Sequence, residues 1–205
     1  MLFAEGGMKM ILYDISGDIL SAKVYPGDPE PCAEVLKSME DGDEYNLSQV
    51  KFCTHTSTHI DAPSHFYQYG STIDKMRLSV FYGKCTVFSF DGIVTGEDME
   101  KLLPYCRKRI LLHGNSKGYF SSSAAFVLAN SGVLLVGTDA DSVAPPFEEA
   151  KTHTELAKAN IAVLEGLDLK GIKDGDYTLC AFPIKLSGLE AAPCRAVLME
   201  QEKGF

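Results

Sequence analysis

Apolar and polar positions alternate with period two in several short runs, and between them lie stretches with the spacing of amphipathic helices. Residues 11–16 alternate as an opening strand, and Tyr25-Pro26-Gly27-Asp28-Pro29 has the proline and glycine chemistry of a turn. Residues 35–47 are charged and loosely patterned, with Gly42 breaking them, and an alternation resumes over 45–53. Short β-type runs at 85–90 and 109–112 flank a predicted helix at 95–105. A second helix at 122–129 leads into the continuous apolar run 132–137, which reads as a buried strand. Thr152 and Glu155 form a capping-box pattern that places His153 in the first turn of a helix ending near Asn160. Residues 161–164 then read as a buried strand with Glu165 at its exit. Alternation over 175–186 and at 195–198 gives the last strands, and Pro183 marks an edge or a break in pairing. Strands and helices in turn predict a mixed α/β fold and exclude a helical bundle.

One stretch concentrates chemistry. Residues 54–65, Thr-His-Thr-Ser-Thr-His-Ile-Asp-Ala-Pro-Ser-His, hold three of the five histidines of the chain. In a helix His55 would stack over His59, but Asp61 would lie roughly 200° away from His59 around the axis. In an extended chain His55, His59 and Asp61 share one face, and the β-branched neighbours and Pro63 favour that form. Two imidazoles and a carboxylate suit a borderline divalent ion such as Zn²⁺ or Mn²⁺, and the carboxylate has a second oxygen for another ion. His65 follows Pro63 and turns towards the same place. Cys53 shares the strand parity but is set aside, because a hydrolytic site of histidine and carboxylate needs no thiolate. Asp139 and Asp141, at a strand end, have the chemistry of metal or substrate contacts, but Asp and Ser are also the standard residues of turns and helix starts, and that reading is preferred. His153 at a helix start and Glu165 at a strand end have the chemistry of a second ion site, which spacing alone leaves open.

Length and composition narrow the setting. The 205 residues, 45% hydrophobic, fit one domain with a proper core. A net charge of −9 without a basic run removes the electrostatic footprint of a nucleic-acid or anionic-membrane partner. No apolar run is long enough to span a bilayer. Six scattered cysteines read as buried small hydrophobes in a reduced cytoplasm. Residues 1–10 read as a leader or an upstream start, leaving 11–205 as the domain.

The motif His55-Thr56-Ser57-Thr58-His59-Ile60-Asp61-Ala62-Pro63-Ser64-His65 resembles the hallmark of the metal-dependent cyclase and kynurenine formamidase family, His-x-Gly-Thr-His-x-Asp-x-Pro-x-His, with Ser57 at the glycine position. Tyr13-Asp14-Ile15-Ser16, Tyr25-Pro26-Gly27-Asp28 and Ala192-Pro193-Cys194-Arg195-Ala196 are similar to its opening and closing segments. The resemblance implies a swivelling β/β/α architecture around a small mixed, barrel-like sheet flanked by helices, in a homodimer or higher oligomer. It also implies two divalent ions: one held by His55, His59 and Asp61, with Asp61 bridging to another held by His153 and Glu165. His65 would be the general acid or base, and Tyr25, where bacterial kynurenine formamidases carry tryptophan, would contact substrate. Ala144 stands where those enzymes tend to carry an acid. The implied activity is hydrolysis of an amide C–N bond in a small molecule, N-formylkynurenine to kynurenine and formate. The alternatives are a cyclic amide or lactone, as in isatin hydrolase-like and cyclase-like relatives, or a metal-stabilised binding protein without catalysis.

Overall fold

The computed structural model describes residues 9–201. Thirteen strands among the described residues are numbered in chain order, and nine of them form one mixed sheet. Its centre is parallel: β5 (Tyr82–Ser89), β7 (Arg109–His113), β9 (Leu135–Thr138) and β10 (Ala162–Glu165). Beyond β5 the sheet continues antiparallel through β11 (Gly175–Cys180), β13 (Val197–Gln201) and β1 (Met10–Asp14). Beyond β10 it continues through β4 (His59–Asp61) and β12 (Ala191–Pro193). Outside this sheet stand the hairpin β2 (Cys32–Lys37) with β3 (Leu47–Lys51) and the short pair β6 (Ile93–Val94) with β8 (Tyr119–Phe120).

The sheet must curl. β12 lies at one edge and β13 next to the other, yet the chain runs from Pro193 to Val197 in four Cα steps, at most roughly 14 Å. A backbone bond from Asp168 N, beyond β10, to Ile15 O, beyond β1, at 3.0 Å joins the two arms, while Ile15 N to Ala196 O at 3.0 Å and Cys194 N to Thr58 O at 3.1 Å prolong the β1–β13 and β12–β4 pairings. Alternation along the strands then makes two cores. Val87, Leu111, Leu135 and Leu164 pack inside the curl with Ile60, Leu179 and Leu198. Phe88, Ile110, Leu112, Val136 and Val163 pack on the outer layer of helices α1 (Gly96–Leu102), α2 (Ser122–Ala129) and α3 (Glu149–Lys158). This is the mixed α/β fold with a barrel-like sheet and flanking helices that the resemblance implies. Among the described residues no helix is long and apolar enough to cross a membrane.

Three expectations change. The loosely patterned 35–47 region contains the end of β2, and the alternation at 45–53 is its partner β3. This ribbon projects with both faces in solvent and does not lead straight into the histidine stretch. The histidine stretch itself is extended only at His59–Asp61. Before it the chain turns, with Thr56 N bonded to Cys53 O and Thr56 Oγ1 accepting from Cys53 N, because Thr and Ser side chains offer the backbone an alternative to strand pairing. Helix α3 starts at Glu149, after a turn over Pro145-Pro146, so Thr152 is interior and not its cap. The carboxylate of Glu148 caps the neighbouring α2 instead, accepting from Ser122 N at 2.8 Å. Of the leader, residues 1–8 lie outside the described residues and Met10 already belongs to β1.

Candidate metal centre

Strand register builds the floor of the site. His59 pairs directly with Glu165 across the β4–β10 ladder, and Asp61 pairs with Val163, which packs on the helix layer. Directly opposed residues in an antiparallel pair share a face, so His59, Asp61 and Glu165 all point towards α3. His153 comes down from the buried side of α3. His55 arrives by the turn at Cys53–Thr56, which brings it over Asp61 although it is not in the strand.

The donor atoms crowd one small volume. His55 Nδ1 lies 2.9 Å and His59 Nε2 3.2 Å from Asp61 Oδ1. The Glu165 oxygens lie 3.5 Å from His59 Nε2 and 3.5 Å from His153 Nε2, and His153 Nδ1 is 4.0 Å from Asp61 Oδ2. Two overlapping groups result, His55-His59-Asp61 and Asp61-His153-Glu165, each with its ligand atoms within 4.8 Å of one another. Atoms bound at about 2.0–2.2 Å to a common ion are spaced roughly 3–3.5 Å apart, and the donor pairs here span 2.9–4.0 Å.

Chemistry argues the same way. His59, Asp61, His153 and Glu165 are all 3–4% exposed. Nevertheless His59 Nε2 and both Asp61 oxygens make no hydrogen bond of good geometry, and their close neighbours are the other donor atoms of the cluster. Buried polar atoms left unpaired cost about 1–3 kcal/mol each, more when charged, so so many in one place fit a cation that satisfies them together. Burial opposes charge on Asp61, but His59 and His55 outweigh it and hold the carboxyl well below the usual range. His59 likewise overcomes burial and is held well above the usual imidazole range by Asp61 and Glu165.

Outer contacts orient these side chains. The Ser57 carbonyl is 2.8 Å from His59 Nδ1, so Nδ1 carries the proton and Nε2 is left free to coordinate. Ser57 has φ 60°, a left-handed conformation that accounts for glycine in the family motif. Glu165 Oε1 accepts from Val143 N at 2.7 Å, and Ser142 Oγ sits 3.1 Å from His153 Nε2. Glu190, which the sequence does not single out, faces His55 Nε2 at 3.4 Å and accepts from Thr54 Oγ1 at 2.6 Å, leaving Nδ1 on the side of Asp61.

His65 stands beside the two groups and belongs to neither. Its ring centroid is 4.2 Å from that of His55 and 6.2 Å from that of His153. Burial first, then His55 and His153, push its pKa below the ordinary value against the pull of Asp61 and Glu165. Phe66 stacks on His153 at 4.5 Å. Together with Tyr25, Asp28, Asp141 and Glu149 these groups enclose a cavity of about 270 Å³ over the centre. The Tyr25 turn is of the expected kind, with Asp28 N bonded to Tyr25 O and Gly27 at φ 102°. Asp141 reaches the cavity rim, whereas Asp139 turns away and accepts from Gly114 N. Cys53 joins neither ligand group.

Residues 13–145 match the model of a protein family described as "Putative cyclase". That span includes Tyr25, His55, His59, Asp61 and His65, and ends before His153 and Glu165. Among solved structures, one described as "Potential Metal-Dependent Hydrolase With Cyclase Activity" is 28% identical, with a TM-score of 0.79 over 95% of this chain and 100% of that one. A "predicted metal-dependent hydrolase from Bacillus stearothermophilus" is also 28% identical, at 0.79 over 93% and 98%. Isatin hydrolase A from Labrenzia aggregata, bound to benzyl benzoate, is 18% identical and shares the fold at 0.82 over 94% of each chain.

Proposed function

Because the chain belongs to the cyclase family, we propose that it is a metal-dependent hydrolase that cleaves an amide C–N bond, with N-formylkynurenine, split into kynurenine and formate, as its substrate. The observation that carries this reading is Asp61: a buried carboxylate shared by two groups of candidate ligands, with neither oxygen in a hydrogen bond of good geometry. In the proposal His55, His59 and Asp61 hold one divalent ion, and Asp61, His153 and Glu165 hold a second, Zn²⁺ or Mn²⁺ by donor type. Such ions supply Lewis-acid activation of water and of the scissile carbonyl. The protein supplies the rest. His65, kept neutral by burial, takes the proton from the attacking water and delivers it to the departing nitrogen, so that water and amide become acid and amine. Phe66 and Tyr25 form the wall against which an aromatic substrate is oriented, and the cavity lies beside the buried donors. The proposal includes a homodimer or larger homo-oligomer in the cytoplasm; its support for that compartment is six cysteines, all free.

A cyclic amide or lactone is the second reading, favoured by the likeness to isatin hydrolase A. A panel of N-formylkynurenine, isatin and simple lactones, offered to metal-loaded protein, separates the two. Release of kynurenine supports the first reading, and turnover of isatin alone replaces it with the second. Bound metal with no turnover of any member leaves a non-catalytic binding protein and overturns both.

A further inference from the structure

Glu190 ties down both ends of the histidine stretch. Its Oε1 accepts from Thr54 Oγ1 at 2.6 Å, directly before His55, and its backbone carbonyl accepts from Ala62 N at 2.8 Å, directly after Asp61. The same Oε1 faces His55 Nε2 at 3.4 Å, while His55 Nδ1 lies 2.9 Å from Asp61 Oδ1. One residue therefore sets where this segment begins and ends and which edge of the His55 ring is turned to Asp61. Glu190 is itself held from behind. Leu189 O accepts from Ile73 N at 2.9 Å, Gly188 N donates to Asp74 at 3.0 Å, and Ala191 pairs with Asp61 in the β4–β12 ladder.

His55 depends on such a contact more than the other candidate ligands do. His59 and Asp61 stand on β4, Glu165 on β10 and His153 on α3, whereas His55 sits in a turn. Its ring is free to rotate about two side-chain torsions unless something outside holds it. A carboxylate at one imidazole nitrogen keeps the proton there and presents the other nitrogen as a bare donor. His153 and Glu165 have outer contacts of their own, to Ser142 Oγ and Val143 N.

We infer that Glu190 is a positioning residue for one ion position and not the other. It keeps the His55 proton on Nε2 and turns Nδ1 to the ion, which strengthens the His55-His59-Asp61 group and leaves Asp61-His153-Glu165 to its own supports. This rests on the two-ion reading of the centre and adds the residue that makes the two positions unequal. It also gives the two histidines of the first group opposite attachment: His55 through Nδ1, and His59, whose Nδ1 meets the Ser57 carbonyl, through Nε2.

The test titrates Zn²⁺ into the full chain in competition with a chromophoric chelator, for the parent, Glu190→Gln and Glu190→Asp. The Gln variant keeps the shape and an acceptor for Thr54 but loses the charge, and should bind one of the two ions roughly 10–100-fold more weakly, the usual cost of an outer partner, with the other ion bound as in the parent. The Asp variant, which keeps a carboxylate, should recover part of that loss. Imidazole ¹⁵N spectra of the Zn²⁺-loaded parent should show His55 bound through Nδ1. Equal loss at both ions, no loss at either, an Asp variant no better than Gln, or His55 bound through Nε2 overturns the inference. The two claims fail separately: two unequal ions without turnover of any amide sink the hydrolase reading and keep the role of Glu190, whereas amide turnover with equal losses does the reverse. A parent that binds no ion overturns both.

Discussion

Ser57 and His65 show how single residues set this site. Ser57 adopts a left-handed backbone so that its carbonyl meets His59 Nδ1, a conformation that costs a residue with a Cβ about 1–2 kcal/mol. Ser57→Gly should therefore raise stability by roughly 0.5–1 kcal/mol after the greater entropy of glycine in the unfolded chain is counted, read as a higher midpoint in urea. A lower midpoint would mean that the serine side chain contributes more than its backbone strain removes. His65→Ala should cut turnover by about 10²–10⁴-fold while metal content, measured by elemental analysis, stays at the parent level. Metal lost in step with activity would make His65 a ligand and not the proton carrier. The candidate ligands are legible in the sequence because His55, His59 and Asp61 fall in one motif, while His153 and Glu165 enter through the family resemblance. Glu190 was not, since its partner Thr54 lies 136 positions away and a lone glutamate before a small-residue strand carries no local signal.

At the scale of elements, the position of the site follows from the pairing of β4 with β10, which aligns His59 with Glu165. The residue pattern could place both strands, β10 as an apolar run and β4 within the extended part of the histidine stretch, but not their register. The predicted helix at 122–129 matches α2, because Ser121 caps it through Ala124 N and small residues follow. The Thr152–Glu155 pattern is a local imitation of a cap, and the preceding proline turn sets the start of α3 at Glu149. A second pairing, between the loops around residues 72–74 and 188–190, depends on Asp74. It accepts from Gly188 N at 3.0 Å and Thr72 Oγ1 at 2.7 Å, which lowers its pKa from 3.8 to about 2. Ile73 N to Leu189 O and Ala62 N to Glu190 O extend the same clamp. A depressed carboxylate pKa contributes stability that is complete above the unfolded value near 4 and is lost as pH falls through about 2. Asp74→Asn should therefore be less stable than the parent in denaturant at pH 7, and the gap should close between pH 4 and pH 2. A gap that stays constant with pH would show that the charge of Asp74 is not what holds the loops.

For the whole molecule, the curl of the sheet is what turns motif residues into a centre. It brings β12, next to β4, back towards β13 and closes one apolar interior behind Ile60 and Leu164. That closure was not readable from alternation, which reports faces and not neighbours. The α/β class was readable from the alternation of strand and helix patterns. With the interior closed, Asp61 and its neighbours sit in low dielectric, where unpaired charge is costly and an ion bound there is held tightly. The most direct measurement is a titration of chelator-stripped protein with Zn²⁺ or Mn²⁺, with hydrolysis of N-formylkynurenine followed against bound metal per chain. Activity should rise with occupancy to a plateau at two ions, and Asp61→Asn should neither fill both positions nor turn over substrate. Full activity in the stripped protein, or in Asp61→Asn, would contradict the account.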